Sequence, residues 1–267
     1  MPYTLAHPAL IVPLRRWIVI GAAAAGAMAP DFGYYLPLAV QKRVPYPSAA
    51  FTHSWLGAVT FDVFIGLVAY LMWRWPVRRQ LLGALPKPWS TQTLARTAVV
   101  LPGRSPTMRA VLLVVSVAVG AISHVLIDLI THERAGSPGF AVDEDVLGIA
   151  FPAFLQRSFS VLGLALLAWW IARELHDIAP LSGLYPTRRM TLYIGSAIVA
   201  ALLGAGLFVR DYPPVSEGNA VIAALLGVTM GGALAILAVS LALASRHHRR
   251  VAQAMSQGVR SEPQSRG

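Results

Sequence analysis

Long apolar runs separated by short polar segments set the pattern of this chain. A helix needs about 20 apolar residues to cross the hydrocarbon core of a bilayer. Five runs reach or approach that length: Phe51 to Trp73, Met108 to Ile130, Phe159 to Ala172, Leu192 to Val209 and Ala220 to Ala244. The third becomes long enough if Phe151 to Leu155 extends it, and it then carries Gln156 and Arg157. Small-residue stretches such as Gly204-Ala205-Gly206 and Gly231-Gly232-Ala233 suit close helix contact in lipid. The pattern predicts an all-α fold, a polytopic membrane helix bundle of five full spans plus an N-terminal helical hairpin or a sixth span. It is expected to form one membrane-embedded domain over 1–245, with a polar, basic and disordered tail over 246–267.

The first 30 residues admit three readings. Arg15-Arg16 followed by Trp17 to Ala29 has the form of a cleaved signal. It also has the form of a span, or of a hairpin turning at the two arginines. Pro8 fits a first helical turn, whereas Pro13 disturbs one continuous helix. The hairpin brings His7 and Asp31 to one face. A full span separates them by roughly the bilayer thickness.

Composition supports the membrane reading. Of 267 residues 56% are hydrophobic and 13% charged, against about 25% charged in a soluble domain. The mean hydropathy is +0.59. Such a chain has too few charges to cover a soluble exterior. The net charge of +10 has a lipid explanation, since Lys and Arg cluster in loops and tail, where they set orientation and meet anionic headgroups. No basic stretch is interleaved with stacking aromatics, so nucleic acid is not the expected partner. Cysteine is absent, which excludes disulfides and thiolate metal sites.

Lys and Arg also orient the spans. The 76–107 loop, amphipathic over Trp89 to Leu101, lies in a segment with Arg74, Arg78, Arg79, Lys87, Arg96 and Arg104. The loop after the second full span carries Asp143, Glu144 and Asp145 against Arg134 and Arg157. The expected location is a bacterial cytoplasmic membrane, with the 76–107 loop and C-terminus inside and the loop over 133–157 outside.

Ionisable groups in membrane helices are costly, and each is a functional hypothesis. His124, Asp128 and His132 stand at i, i+4 and i+8 and form one stripe on a helix face. Two imidazoles and a carboxylate on one face make half of a metal site, or else a polar stripe bonded to a neighbouring helix. His7, Asp31 and His53 fall near the same membrane side, and Thr52 or Ser54 is positioned to cap a helix beside His53. Asp62 lies nine residues after His53, about half a turn round the helix and roughly 13 Å deeper. Pairing with Arg15 or Arg16, or packing, is favoured there over ligation.

Four segments together resemble a known set: Met1-Pro2-Tyr3-Thr4-Leu5-Ala6-His7-Pro8, Gly26 to Phe32, Thr52-His53-Ser54 and Ser123 to His132. They resemble an uncharacterised bacterial integral-membrane family, a domain of unknown function opening M-P-[FY]-T-x-x-H-P. Gln156 to Leu164 is similar to a later segment of that family. The opening thereby belongs to the working domain and is expected to remain in the mature protein. More distantly, the order of motifs is similar to inner-membrane metal-dependent hydrolases and to the helical zinc-dependent phospholipase C fold. That resemblance implies a divalent metal, zinc favoured, with His7, Asp31, His53, His124 and Asp128 as ligands and His132 as ligand or supporting partner. The chain departs from the hydrolase pattern at Gly33, where a second acidic residue often stands, and at Ala49-Ala50-Phe51, where a His-Arg-Gly lead is usual. The implied activity is hydrolysis of a lipid or phosphoester at the outer face, with membrane lipid as partner. The alternative is a non-enzymatic membrane protein, a transporter, proton path or scaffold using the His/Asp set structurally.

Overall fold

The computed structural model describes residues 3–36, 38–98, 104–131, 145–146, 149–180, 185–211 and 217–260. It is helical apart from a two-residue antiparallel pairing, Asp145–Val146 against Ile149–Ala150. A 3-10 helix, Thr4–Leu14, opens the chain. The α-helices are α1 (Ile20–Met28), α2 (Leu38–Gln41), α3 (Ala49–Thr52), α4 (Trp55–Val59), α5 (Phe61–Met72), α6 (Arg78–Leu82), α7 (Trp89–Ala98), α8 (Pro106–Thr131), α9 (Phe151–His176), α10 (Arg188–Asp211) and α11 (Glu217–Arg260).

Among the described residues four helices contain stretches long and apolar enough to cross a membrane: Pro106–Thr131, Phe151–His176, Arg188–Arg210 and Ala223–Arg246. Only 6% of the apolar window of α9 is buried within the protein, so most of its Leu and Trp side chains face outward, as a lipid-facing helix would. The run from Phe51 to Trp73 is not one continuous helix. Ser48 Oγ accepts the Phe51 N–H and Ser54 Oγ accepts the Gly57 N–H, so two caps six residues apart start separate helices. His53 sits in the break between them. A π turn over Trp73–Val77, with Pro76 inside it, follows α5.

The chain forms two compact units, residues 1–72 with 95–184, and residues 73–94 with 185–267. In the first, the 3-10 helix runs in and α1 runs back, the hairpin arrangement, so that Thr4 meets Asp31. Two prolines at positions 8 and 13 and the missing N–H of each suit a 3-10 segment better than an α-helix. The helix α1 lies against α8 in matched four-residue steps. The Val19 N–H bonds Ser116 Oγ at 2.9 Å, Ala23 meets Gly120, and the Ala27 carbonyl meets His124. Ser105 caps α8 by accepting the Met108 N–H, with Pro106 at its first position. The helix α9 closes over the 3-10 helix: Ser160 Oγ accepts the Tyr3 N–H at 2.8 Å, and Gly163 lies against Ala6.

In the second unit α10 and α11 pair closely. Gly204 faces Gly227 and Gly231 without room for a Cβ, and Tyr193 shares a buried hydrogen bond with Ser240 at 2.8 Å. Residues 261–267 of the expected disordered tail over 246–267 lie outside the described residues, and the helix α11 is described through Arg260. Its run of Arg, His, Ala, Gln and Met keeps good helix propensity, and the preceding span supplies the nucleus.

Candidate metal centre

The last two turns of α8 present His124 and Asp128 on one side, 0% and 2% exposed. The chain turns at Ala29-Pro30 after α1 and delivers Asp31 against them, also 0% exposed. His7 comes from the 3-10 helix and stacks flat on His124, with centroids 3.9 Å apart and planes 14° from parallel. Phe159 of α9 lies 6.0 Å from the His7 ring. His53, from the break between α3 and α4, meets His124 edge-on at 5.3 Å.

The structure therefore brings together five of the six residues singled out in sequence. His132 lies outside the described residues. The imidazole nitrogens and carboxylate oxygens interleave. His53 Nε2 is 3.2 Å from Asp31 Oδ1 and 3.3 Å from Asp128 Oδ2. His124 Nε2 is 3.5 Å from each of the same two oxygens, and His7 Nε2 is 3.7 Å from Asp128 Oδ1.

Main-chain carbonyls decide which ring nitrogen faces inward. Nδ1 of His124 bonds the Ala27 carbonyl at 2.8 Å, Nδ1 of His53 the Ala49 carbonyl at 3.0 Å, and Nδ1 of His7 the Thr4 carbonyl at 3.3 Å. A carbonyl only accepts, so Nδ1 carries the proton in each ring. Nε2 of each ring then faces the carboxylates, as a lone pair when the imidazole is neutral and as an N–H when it is protonated. Nε2 of His7 and of His124 are buried and have no hydrogen-bond partner among the described residues. Lone pairs aimed at carboxylate oxygens repel unless a proton or cation lies between them.

The donor set fits a divalent cation. Ligands about 2.0–2.1 Å from tetrahedral zinc stand about 3.3–3.4 Å from one another. The observed separations of 3.2–3.7 Å bracket that edge, and the shortest, His53 Nε2 to Asp31 Oδ1, is also a hydrogen bond. Two triads have ligand atoms within 4.8 Å of one another, His7/Asp31/His124 and His53/His124/Asp128. Both use His124, whose Nδ1 is already committed. One lone pair binds one ion, so the triads are parts of a single centre.

Electrostatics agree. Burial raises the Asp31 carboxyl, but the charge of a protonated His124, 3.5 Å away, and hydrogen bonds from His53 and Thr4 outweigh it and hold that carboxyl well below the usual range. Burial lowers the His53 imidazole, yet hydrogen bonds to Asp128 and Asp31 bring it up to about 9. Both shifts describe a buried anionic focus seeking positive charge.

Five further contacts support the cluster. Thr4 Oγ1 donates to Asp31 Oδ2 at 2.5 Å and orients it. Its signal was its place in the opening motif. The Ala27 and Ala49 carbonyls have no sequence signal, because any residue supplies one. Gln156 Nε2 donates to the Thr131 carbonyl at 2.9 Å, and Ser160 accepts from the N-terminal segment, which gives the Gln156 to Leu164 segment a role in bracing the site.

Asp62 stays outside the cluster. It is fully buried, and neither carboxylate oxygen has a hydrogen-bond partner among the described residues. The expected pairing with Arg15 or Arg16 is not formed. Arg15 instead donates to the Val12 carbonyl. Both arginines sit at the hairpin turn, at the far end of the 3-10 helix from the site.

The chain thus combines helices long and apolar enough to cross a membrane with, among the described residues, a buried three-His, two-Asp cluster that could hold a metal ion. The chain belongs to the family described as Domain of unknown function (DUF4184), which matches residues 1–245. No curated protein matches the chain. No solved structure matches it.

Proposed function

We propose that the protein is a mononuclear metal-dependent hydrolase of a lipid or phosphoester, working at the outer membrane–water boundary. The observation that carries this reading is the inward Nε2 of three histidines, each fixed by a main-chain carbonyl and aimed at two buried carboxylates. His7, Asp31, His53, His124 and Asp128 would hold the ion, with zinc favoured among the metals that imidazole-rich donors suit. When bound, the metal lowers the pKa of a water toward about 7 and polarises a phosphoryl or acyl oxygen.

The chain's own residues supply the rest. Asp128 presents Oδ2 to His53 and His124 and Oδ1 to His7, so one oxygen binds while the other can accept a proton from water. Thr4 holds Asp31 in place. His53, 8% exposed, is the least enclosed of the five. A cavity of about 260 Å³ is lined by Pro30 and Thr52, the chain neighbours of Asp31 and His53, with Tyr34 and Tyr46, and the Tyr34 ring meets His53 edge-on. Substrate approaches from this side.

Purified protein should hydrolyse bis(p-nitrophenyl) phosphate or vesicle phosphatidylglycerol, lose that activity with a chelator and regain it with zinc. Stoichiometric metal without hydrolysis of either would replace this reading with the alternative, a metal that only ties helices together.

The Arg and Lys distribution supports a cytoplasmic membrane location with the C-terminus inside. Gln92→Cys should resist an impermeant outside thiol reagent in intact cells, and Ser137→Cys should react. The reverse pattern inverts the topology and moves the site to the inner face.

A further inference from the structure

The second unit contains a cavity of about 380 Å³ whose charged lining is entirely basic: Arg79 from α6, Arg189 from the first turn of α10 and Arg246 from α11, with Gln80 beside them. Leu94 and Leu243 supply apolar wall. Three guanidinium groups from three helices would repel one another around a shared space. Among the described residues none of the three has an ion pair, and no carboxylate lines the cavity. The fold nonetheless holds them together. Thr187 caps α10 by accepting the Met190 N–H, and its hydroxyl donates to the Ala84 carbonyl just after α6.

Position along the spans identifies the surroundings. Arg189 lies at the start of the apolar stretch Arg188–Arg210, and Arg246 ends the stretch Ala223–Arg246. The Tyr193–Ser240 bond joins these two helices four residues inside Arg189 and six inside Arg246. Both arginines therefore stand at the same end of the pair, where apolar helix gives way to polar sequence. Trp75, 79% exposed on the π turn before α6, is the residue type that settles at a bilayer interface.

We propose that this cavity binds a phosphate-bearing anion at the membrane boundary, the phosphate being gripped by Arg79, Arg189 and Arg246. Guanidinium forks match phosphate oxygens in pairs, and the leucine wall accommodates the apolar part of a lipid glycerol. A phosphatidyl headgroup and a free phosphate share this chemistry. The site is independent of the His/Asp cluster and of any hydrolysis there.

The test is native mass spectrometry of the full chain released from detergent, with phosphatidylglycerol, phosphatidylcholine and inorganic phosphate as probes. Wild type should retain one phosphatidylglycerol in preference to phosphatidylcholine. Arg79→Gln, Arg189→Gln and Arg246→Gln should each weaken retention about fivefold, the effect of one basic residue at a membrane surface. Arg104→Gln, which removes the same charge outside the cavity, should not. Retained phosphate that phosphatidylglycerol displaces assigns a headgroup. Retained phosphate that it does not displace assigns the free anion. Unchanged retention in all three cavity variants, or an equal loss in Arg104→Gln, overturns the site. Arg246→Lys keeps the charge but loses the fork, and intermediate retention there separates binding from a folding defect.

Discussion

Purified protein is expected to carry one divalent metal per chain, and His124→Ala and Asp128→Ala to carry none. This is the largest effect expected of any substitution. His124 belongs to both ligand triads, and Asp128 touches all three imidazoles. Loss of a partner that merely orients a ligand costs about 10- to 100-fold in metal affinity, and loss of a ligand costs more. Thr4→Val, which removes only the hydroxyl on Asp31, should fall within that smaller range. Asp62→Ala should leave metal content near wild type, because Asp62 lies outside both triads. Elemental analysis of the five proteins gives the answer directly. Full metal in His124→Ala would remove the proposed centre, and loss in Asp62→Ala would move it.

Bulk at the α1–α8 contact has the next largest effect. A Cβ on Gly120 would stand 2.0 Å from the Ala23 carbonyl oxygen, and one on Gly26 would stand 2.0 Å from that of Val117. Backbone cannot yield locally, so the helices must part. Gly26→Ala and Gly120→Ala should each destabilise by about 1–3 kcal/mol, the usual cost of overpacking. Metal should weaken with them, since the same contact sets the Ala27 carbonyl on His124 Nδ1. Gly206→Ala, with nothing within 4 Å of the new Cβ, is the neutral comparison. Thermal unfolding in detergent with and without chelator reads both quantities. Wild-type melting in Gly26→Ala and Gly120→Ala would show that the close packing of α1 on α8 does not hold the site.

Helical class, the need for lipid and the candidate ligands follow from the order of residues alone. Apolar runs near 20 residues have few other outcomes, and a His, Asp and His stripe at four-residue spacing must share one helix face. Hydropathy did not determine the breaks. The run beginning at Phe51 reads as one helix because periodicity weighs side chains, whereas Ser48 and Ser54 act through hydrogen bonds to main-chain N–H groups. The hairpin of the first 30 residues is a product of long-range packing. Residues 7 and 31 are brought together against α8 and α9, an effect that no local pattern encodes. The inward nitrogen of each histidine has the same origin, because the acceptors are main-chain carbonyls whose positions depend on the path of the backbone and not on residue type.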